Sequence, residues 1–263
     1  MVSVTPIFVP GDRPERFAKA AASGADAVII DLEDAVAFDQ KLKARADLRA
    51  ALLPGGIDIG VRINPVGTRW HVQDLEALAG LKLSMVMLAK TETAADIAAV
   101  AAATGLPVIA LIETAIGLAR AREIARAPAT MRLAFGSIDF CADIGAAHTR
   151  EALLAARSEL VLASRLANLP PPIDGVTTAL DDAALLQDDA AYALNLGFGG
   201  KLCIHPRQIA SVKAGFMPRD SEIVWARKIL ASEADGAVSV DGTMVDAPVR
   251  LRARQILARA TVP

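Results

Sequence analysis

The sequence predicts an α/β chain folded as a (β/α)8 barrel, and three observations carry that reading. Short apolar runs of strand length alternate with helix-period segments almost from end to end. Eight such strand–helix units precede a change of pattern, and the length of 263 residues matches the roughly 250 of such barrels. Polar and charged residues stand at the far ends of the runs: Val28-Ile29-Ile30-Asp31-Leu32-Glu33-Asp34, Gly60-Val61-Arg62-Ile63-Asn64, Val108–Glu113 and Leu133–Asp139. A buried parallel strand reads as a continuous apolar run, and a parallel barrel carries its chemistry where such strands end. A doubly wound open sheet is the alternative, disfavoured by the count of eight and by the lack of a nucleotide-binding fingerprint.

Thr5–Pro10 reads as the first strand, and Pro14–Ser23 as a helix opened by Asp12 and Pro14. Ala27–Glu33 is the second strand, and the helix over Asp39–Leu53 stops at Pro54-Gly55-Gly56. Asp58–Asn64, Ser84–Lys90 and Pro107–Glu113 are strands three to five, followed by helices over His71–Ala79, Ala94–Ala103 and Leu118–Arg126. Met131–Ser137 is strand six, with a long helix over Glu151–Asn168 after it. Asp174–Thr178 is a short seventh strand before a helix over Ala183–Leu196, and Gly200–His205 is the eighth before Pro206–Ala214. Ser221–Ser232 is then helical, Ala237–Ala247 reads as a hairpin turning at Asp241-Gly242, and Val249–Ala260 is a last amphipathic helix. The catalytic barrel is therefore assigned to residues 1–217. Residues 218–263 form a C-terminal helix–hairpin–helix appendage that covers the rim or packs on a neighbouring subunit.

Bulk properties narrow the function. A hydrophobic fraction of 53% with 22% charged residues describes a globular chain with a large core. A net charge of −2 gives no field that attracts nucleic acid or a membrane surface, so an anionic ligand needs a local basic cluster. Cys141 and Cys203 sit in apolar runs and read as buried thiols. Met1 to Pro10 lacks the basic region of a signal peptide, and no apolar run approaches the roughly 20 residues of a membrane span. The expectation is a cytoplasmic enzyme.

Glu113 and Asp139 end neighbouring strands, and two carboxylates plus waters suit Mg2+. Either acid alone reads first as a helix cap or the partner of a structural arginine; the pair shifts the balance to a metal. Arg62 presents a guanidinium able to grip a carboxylate with two hydrogen bonds, or to pair with Glu33 or Asp34. Asp31 and Glu33 fall on one face of an extended segment and Asp34 on the other. Arg13 and Arg16 flank a helix start that suits a phosphate. His205 before Pro206 reads as structural or as a rim base, and Ser137 has neither a nucleophile-elbow pattern nor an obvious histidine partner. Asp246 reads as an ordinary residue leading a helix.

Taken together, several segments resemble the citrate lyase beta subunit and its relatives in the HpcH/HpaI aldolase and citrate lyase superfamily. They are Phe8–Arg16, Asp31-Leu32-Glu33-Asp34-Ala35-Val36, Val61-Arg62-Ile63-Asn64-Pro65, Ile112-Glu113-Thr114, Phe135–Phe140, Gly200–Pro206 and Asp241–Pro248, in order along nearly the whole chain. The resemblance implies a TIM barrel, assembled as a trimer or related homo-oligomer, with Mg2+ on Glu113 and Asp139. It implies Arg62 on the substrate carboxylate, with Arg13, Arg16, Gly136 and Ser137 also binding substrate. Glu33 and Asp34 join the catalytic set, and Asp246 matches a tail aspartate that some relatives use as acid/base. Phe38 and Ala89 stand where prolines are common in such relatives, and Thr177-Thr178-Ala179 lacks the acidic or aromatic residues many of them have there. The implied activity is Mg2+-dependent carbon–carbon cleavage of a β-hydroxyacyl thioester such as citramalyl-CoA, malyl-CoA or a citryl thioester. The alternatives are a pyruvate-type aldolase on free acids, a malyl-CoA thioesterase, a lyase subunit serving an acyl carrier protein, or a metabolite-binding protein without turnover.

Overall fold

A computed structural model of the chain describes residues 3–232, 238–240 and 243–260. It divides into two compact units, Met1–Lys213 and Ala214–Pro263. In the first, eight strands follow one another as β1 (Pro6–Pro10), β2 (Ala27–Asp31), β3 (Asp58–Ile63), β4 (Met85–Leu88), β5 (Val108–Ile112), β6 (Thr130–Phe135), β7 (Ile173–Asp174) and β8 (Gly200–Lys201). They are hydrogen-bonded in sequence order, each parallel to the next. Ile7 bridges in parallel to Cys203, with the amides of Phe8 and Cys203 donating to the Cys203 and Pro6 carbonyls, so the sheet meets itself as a barrel. The predicted fold class is observed.

The helices are α1 (Phe17–Ala21), α2 (Lys41–Ala50), α3 (His71–Leu78), α4 (Ala94–Thr104), α5 (Ala115–Ala119), α6 (Ala121–Arg126), α7 (Ser137–Ile144), α8 (Arg150–Leu166), α9 (Ala183–Leu196) and α10 (Gln208–Phe216). Their starts follow local chemistry. Thr93, Thr114, Thr149 and Asp182 each cap a helix by accepting a backbone N–H, and Gly105, Gly145 and Gly197 end helices in the left-handed conformation. Some extents differ from the sequence reading. The predicted first helix opens with a 3-10 turn at Pro14–Arg16, and the segment after β5 breaks into two helices at Arg120. Strands seven and eight are shorter than their apolar runs suggest.

Every second residue of the strands points inward, and the period of two carries this core into the rim. Ile29, Met85, Met87, Ile109, Leu111, Ala134, Ile173 and Leu202 pack together with Phe8 and Val176. Each fully buried side chain of this kind contributes roughly 1.5–3 kcal/mol. Two residues beyond Ile29, Leu111 and Ala134 stand Asp31, Glu113 and Gly136, and two beyond Gly60 stands Arg62. The same alternation that builds the core therefore delivers these residues to one end of the barrel.

The second unit is a helix pair with a hairpin: α11 (Asp220–Ala231), β9 (Val238–Val240), β10 (Thr243–Val245) and α12 (Ala247–Ala260). The strands pair antiparallel, Met244 opposite Ser239, as predicted; the proposed turn at Asp241-Gly242 lies outside the described residues. Ala226, Ile229, Val245, Ala253 and Ile256 form its own small core. Cys141 and Cys203 are free and buried. No helix among the described residues is long and apolar enough to cross a membrane.

Candidate active site

Arg62 is the centre of the rim. Its Nε and Nη2 donate to the two oxygens of Asp31 at 2.7 and 2.5 Å, and Nη1 lies 3.0 Å from Glu33 Oε2. Asp31 and Glu33 thus share one side, as strand geometry requires. The expected partner Asp34 makes no ion pair with Arg62 among the described residues; its Oδ2 sits 3.9 Å from Lys90 Nζ. Burial opposes the charge on Asp31, but Arg62 outweighs it and holds that carboxyl below the usual range. Burial likewise opposes the charge on Arg62, and Asp31 with Glu33 keeps the guanidinium firmly protonated.

Glu113 follows β5 directly and is 2% exposed. Its Oε2 accepts the backbone N–H of Lys90 at 2.8 Å. Burial, reinforced by Glu33, pushes its carboxyl up to about 8 against the pull of Arg62 and Lys90. Gly136 gives it room: a Cβ there would lie 2.2 Å from Glu113 Cγ and 2.3 Å from Oε1. Asp139 is not at a strand end, as the sequence suggested, but in the first turn of α7. Its Oδ1 is 3.2 Å from Lys90 Nζ, and Glu33 Oε1 is 2.8 Å from the same nitrogen.

A cavity of about 150 Å3 collects Arg62, Glu113, Gly136, Ser137, Asp139 and Asp34 over Phe8 and Leu111. Arg62 also lies 4.6 Å above the Phe8 ring. Around it, the carboxylates Asp31, Glu33, Asp34, Glu113 and Asp139 outnumber the cations Arg62, Lys90 and the buried Lys41, which donates to the Glu33 carbonyl. That imbalance, together with a glutamate whose carboxyl is pushed up by burial and Glu33, is what a divalent cation with oxygen ligands corrects. Among the described residues no three His, Cys, Asp or Glu side chains converge to enclose a metal. Mg2+ suits this, because it keeps several waters and takes one or two carboxylates plus substrate oxygens.

Ser137 departs from expectation. Its Oγ is 2.9 Å from His148 Nε2, a partner that lies across the Gly145–Thr149 turn. Burial and the nearby Arg157 and Lys201 lower the His148 pKa, which favours the neutral ring. Ser137 is 1% exposed, a Cβ on Gly175 would lie 2.2 Å from its Oγ, and the pair stands at the start of α7.

The predicted phosphate arginines separate. Both are exposed and near a neighbouring acid, Arg13 4.0 Å from Asp12 and Arg16 3.9 Å from Glu15, but only Arg16 lines a groove of about 520 Å3, with Lys19, His205 and Arg207. Phe8 and Ile204 line both this groove and the rim cavity, so the two adjoin. His205 accepts the Arg207 N–H through Nδ1, a local turn contact. Asp246 lies in the second unit, where its Oδ1 accepts the Val249 N–H at the start of α12. Sequence reasoning missed two members of the rim. Asp31 was visible as an acid inside the predicted second strand but received no role, and Lys90 stands after an apolar run just as Glu113 does.

Residues 5–206 match the family model described as HpcH/HpaI aldolase/citrate lyase. A citrate lyase subunit beta-like protein of Mycobacterium tuberculosis is 42% identical, over 97% of this chain and 94% of its own. A (3S)-malyl-CoA thioesterase of Cereibacter sphaeroides is 37% identical, over 97% and 93%. The crystal structure of CitE from Mycobacterium tuberculosis in complex with magnesium, acetoacetate and coenzyme A superposes with a TM-score of 0.91 at 40% identity, covering 98% of both chains.

Proposed function

The chain belongs to the HpcH/HpaI aldolase/citrate lyase family, and from that premise we propose that it is a Mg2+-dependent carbon–carbon lyase of a β-hydroxyacyl-CoA thioester. The observation that carries this reading is the convergence of Arg62, Glu113 and Asp139 on one cavity that adjoins a basic groove. Further support comes from the relative whose crystal holds magnesium, acetoacetate and coenzyme A.

In the cleavage direction the β-hydroxyl gives up its proton and becomes the oxo group as the bond to the thioester α-carbon breaks. The electron pair passes to a thioester enolate, whose α-carbon then takes a proton, leaving a 2-oxo acid and a shorter acyl thioester. Glu113 and Asp139 would hold Mg2+, which supplies Lewis-acid polarisation of substrate oxygens. Arg62, fixed by Asp31 and Glu33, has N–H bonds left to grip the substrate carboxylate and to offset negative charge that builds during cleavage. Asp34 flanks the cavity mouth beside Lys90. Arg16 in the groove, with Lys19 and Arg207 beside it, gives cationic contacts for CoA phosphates. Arg13 contributes to that positive field from outside the groove. Asp246, delivered from a neighbouring subunit, would move the proton on the α-carbon. Assembly as a homo-oligomer, a trimer in its simplest form, belongs to the same proposal.

A thioesterase is the second reading, favoured by the 37% identity to a (3S)-malyl-CoA thioesterase. The two differ in products. Incubation with malyl-CoA and citramalyl-CoA, with oxo acid and free thiol assayed separately, distinguishes them. Oxo acid without free thiol is expected. Free thiol without oxo acid would replace the lyase with hydrolysis, and neither product would turn attention to free-acid aldol substrates or to an acyl carrier protein thioester.

A further inference from the structure

Lys90 has no part in the chemistry just described, yet four of the rim carboxylates meet it. Its Nζ lies 2.8 Å from Glu33, 3.2 Å from Asp139 and 3.9 Å from Asp34, while its backbone N–H donates to Glu113 at 2.8 Å. The residue is also strained. Its φ of 45° falls in the left-handed region, which residues with a Cβ adopt at a cost. The turn enforces this. Thr91 is fully buried, its Oγ1 donates to the Leu88 carbonyl at 2.8 Å, and its N–H reaches Leu111 O at 3.1 Å. Gly117 closes the other side, where a Cβ would lie 2.5 Å from the Thr91 carbonyl.

The backbone is therefore fixed while the ammonium is not. The Lys90 side chain is 30% exposed on a flexible four-carbon stem, and its ammonium reaches Asp139, which lines the cavity. Its amide occupies Glu113 Oε2, which leaves Oε1 directed toward Gly136. Its ammonium rests on Asp139, one of the two carboxylates assigned to the metal. A divalent cation on that carboxylate and an ammonium at the same distance would repel each other strongly in a partly desolvated site.

We propose that Lys90 is a positioning residue with a built-in counter-cation, whose amide orients Glu113 throughout and whose ammonium balances Glu33 and Asp139 until a divalent cation displaces it from Asp139. The inference rests on the metal assignment made under the proposed function. It adds a direct competition between a side chain of the protein and the metal.

Calorimetric titration with Mg2+ alone, without substrate, tests this on the wild type, Lys90→Met and Lys90→Arg. Removing the competing charge should tighten Mg2+ binding about tenfold in Lys90→Met, with Lys90→Arg close to the wild type. The same Lys90→Met protein should melt at a lower temperature in chelator and recover when Mg2+ is added. A residue that merely braces the fold would move affinity the other way, so unchanged or weaker Mg2+ binding in Lys90→Met overturns the proposal. Lys90→Gly relieves the left-handed strain and keeps the amide, and it replaces Lys90→Met should that variant fail to fold. On the wild type itself, amine labelling at Lys90 read by mass spectrometry should speed up several-fold with Mg2+; an unchanged rate in protein that binds Mg2+ also overturns it. A wild type that binds no Mg2+ would remove the metal assignment and this inference together.

Discussion

Arg62 and Asp31 meet edge to edge, with Nε and Nη2 at 2.7 and 2.5 Å from the two carboxylate oxygens, and Asp31 is wholly buried. A guanidinium clamped in this way cannot swing to follow a ligand, so the substrate must come to it. The clamp also means that removing one partner leaves a buried charge unpaired. Asp31→Asn should cost about 3 kcal/mol in urea unfolding, the lower end for broken buried pairs because Glu33 still touches Arg62. Arg62→Lys should keep the charge but lose the two-pronged contact, and turnover should fall at least tenfold. Equal stability of Asp31→Asn and wild type would show that Glu33 alone suffices.

The raised Glu113 carboxyl makes the metal-free protein sensitive to pH. Its folded value of about 8 lies above the 4.5 of an ordinary glutamate, so the native state keeps a proton that the unfolded chain releases. This contribution is whole below the lower value, declines as pH rises between the two and is gone above the upper one. From about pH 6 to about pH 8, chelator-treated wild type should lose on the order of 2–3 kcal/mol relative to Glu113→Gln. Urea midpoints of the two proteins that shift in parallel would contradict this.

Gly136 is required by its neighbour and not by a turn. An added Cβ would meet Glu113 Cγ at 2.2 Å, so Gly136→Ala must push the carboxylate aside. Overpacking of this kind costs about 1–3 kcal/mol. Melting should drop accordingly, and Mg2+ affinity measured by calorimetry should weaken by more than the melting change alone would cause. Retained affinity would remove Glu113 from the metal.

The groove and the tail make separable predictions. Arg16→Ala should raise KM for a CoA thioester about tenfold with kcat little changed, since a remote phosphate contact binds ground and transition states alike. Asp246→Ala should lower turnover and leave Mg2+ affinity intact. An Asp246→Ala enzyme of full activity would reduce that residue to the cap of α12.

The strands were legible because fully buried parallel strands leave uninterrupted apolar runs, and Val28-Ile29-Ile30 is such a run. Arg62, Glu113 and Glu33 were legible for the same reason, as polar residues at the ends of such runs. Asp139 was placed wrongly because Gly136 offers no capping side chain, so Ser137-Ile138-Asp139 reads as more strand when it is the first turn of a helix. The pairings were not legible. Arg62 chooses Asp31 over Asp34 through the register of β2 with β3, in which Asp31 stands beside Arg62. Ser137 finds His148 only because the chain doubles back before α8. Lys90 shows nothing unusual in sequence, since a positive φ in a lysine leaves no trace in composition.

The most direct test of the metal-dependent lyase is oxo-acid release from citramalyl-CoA and malyl-CoA by wild type, Glu113→Gln and Asp139→Asn, each with Mg2+ and with chelator. Release is expected only from wild type with Mg2+, from both or one of the thioesters, while all three proteins melt as folded. Undiminished release in chelator, or by either variant, would contradict it.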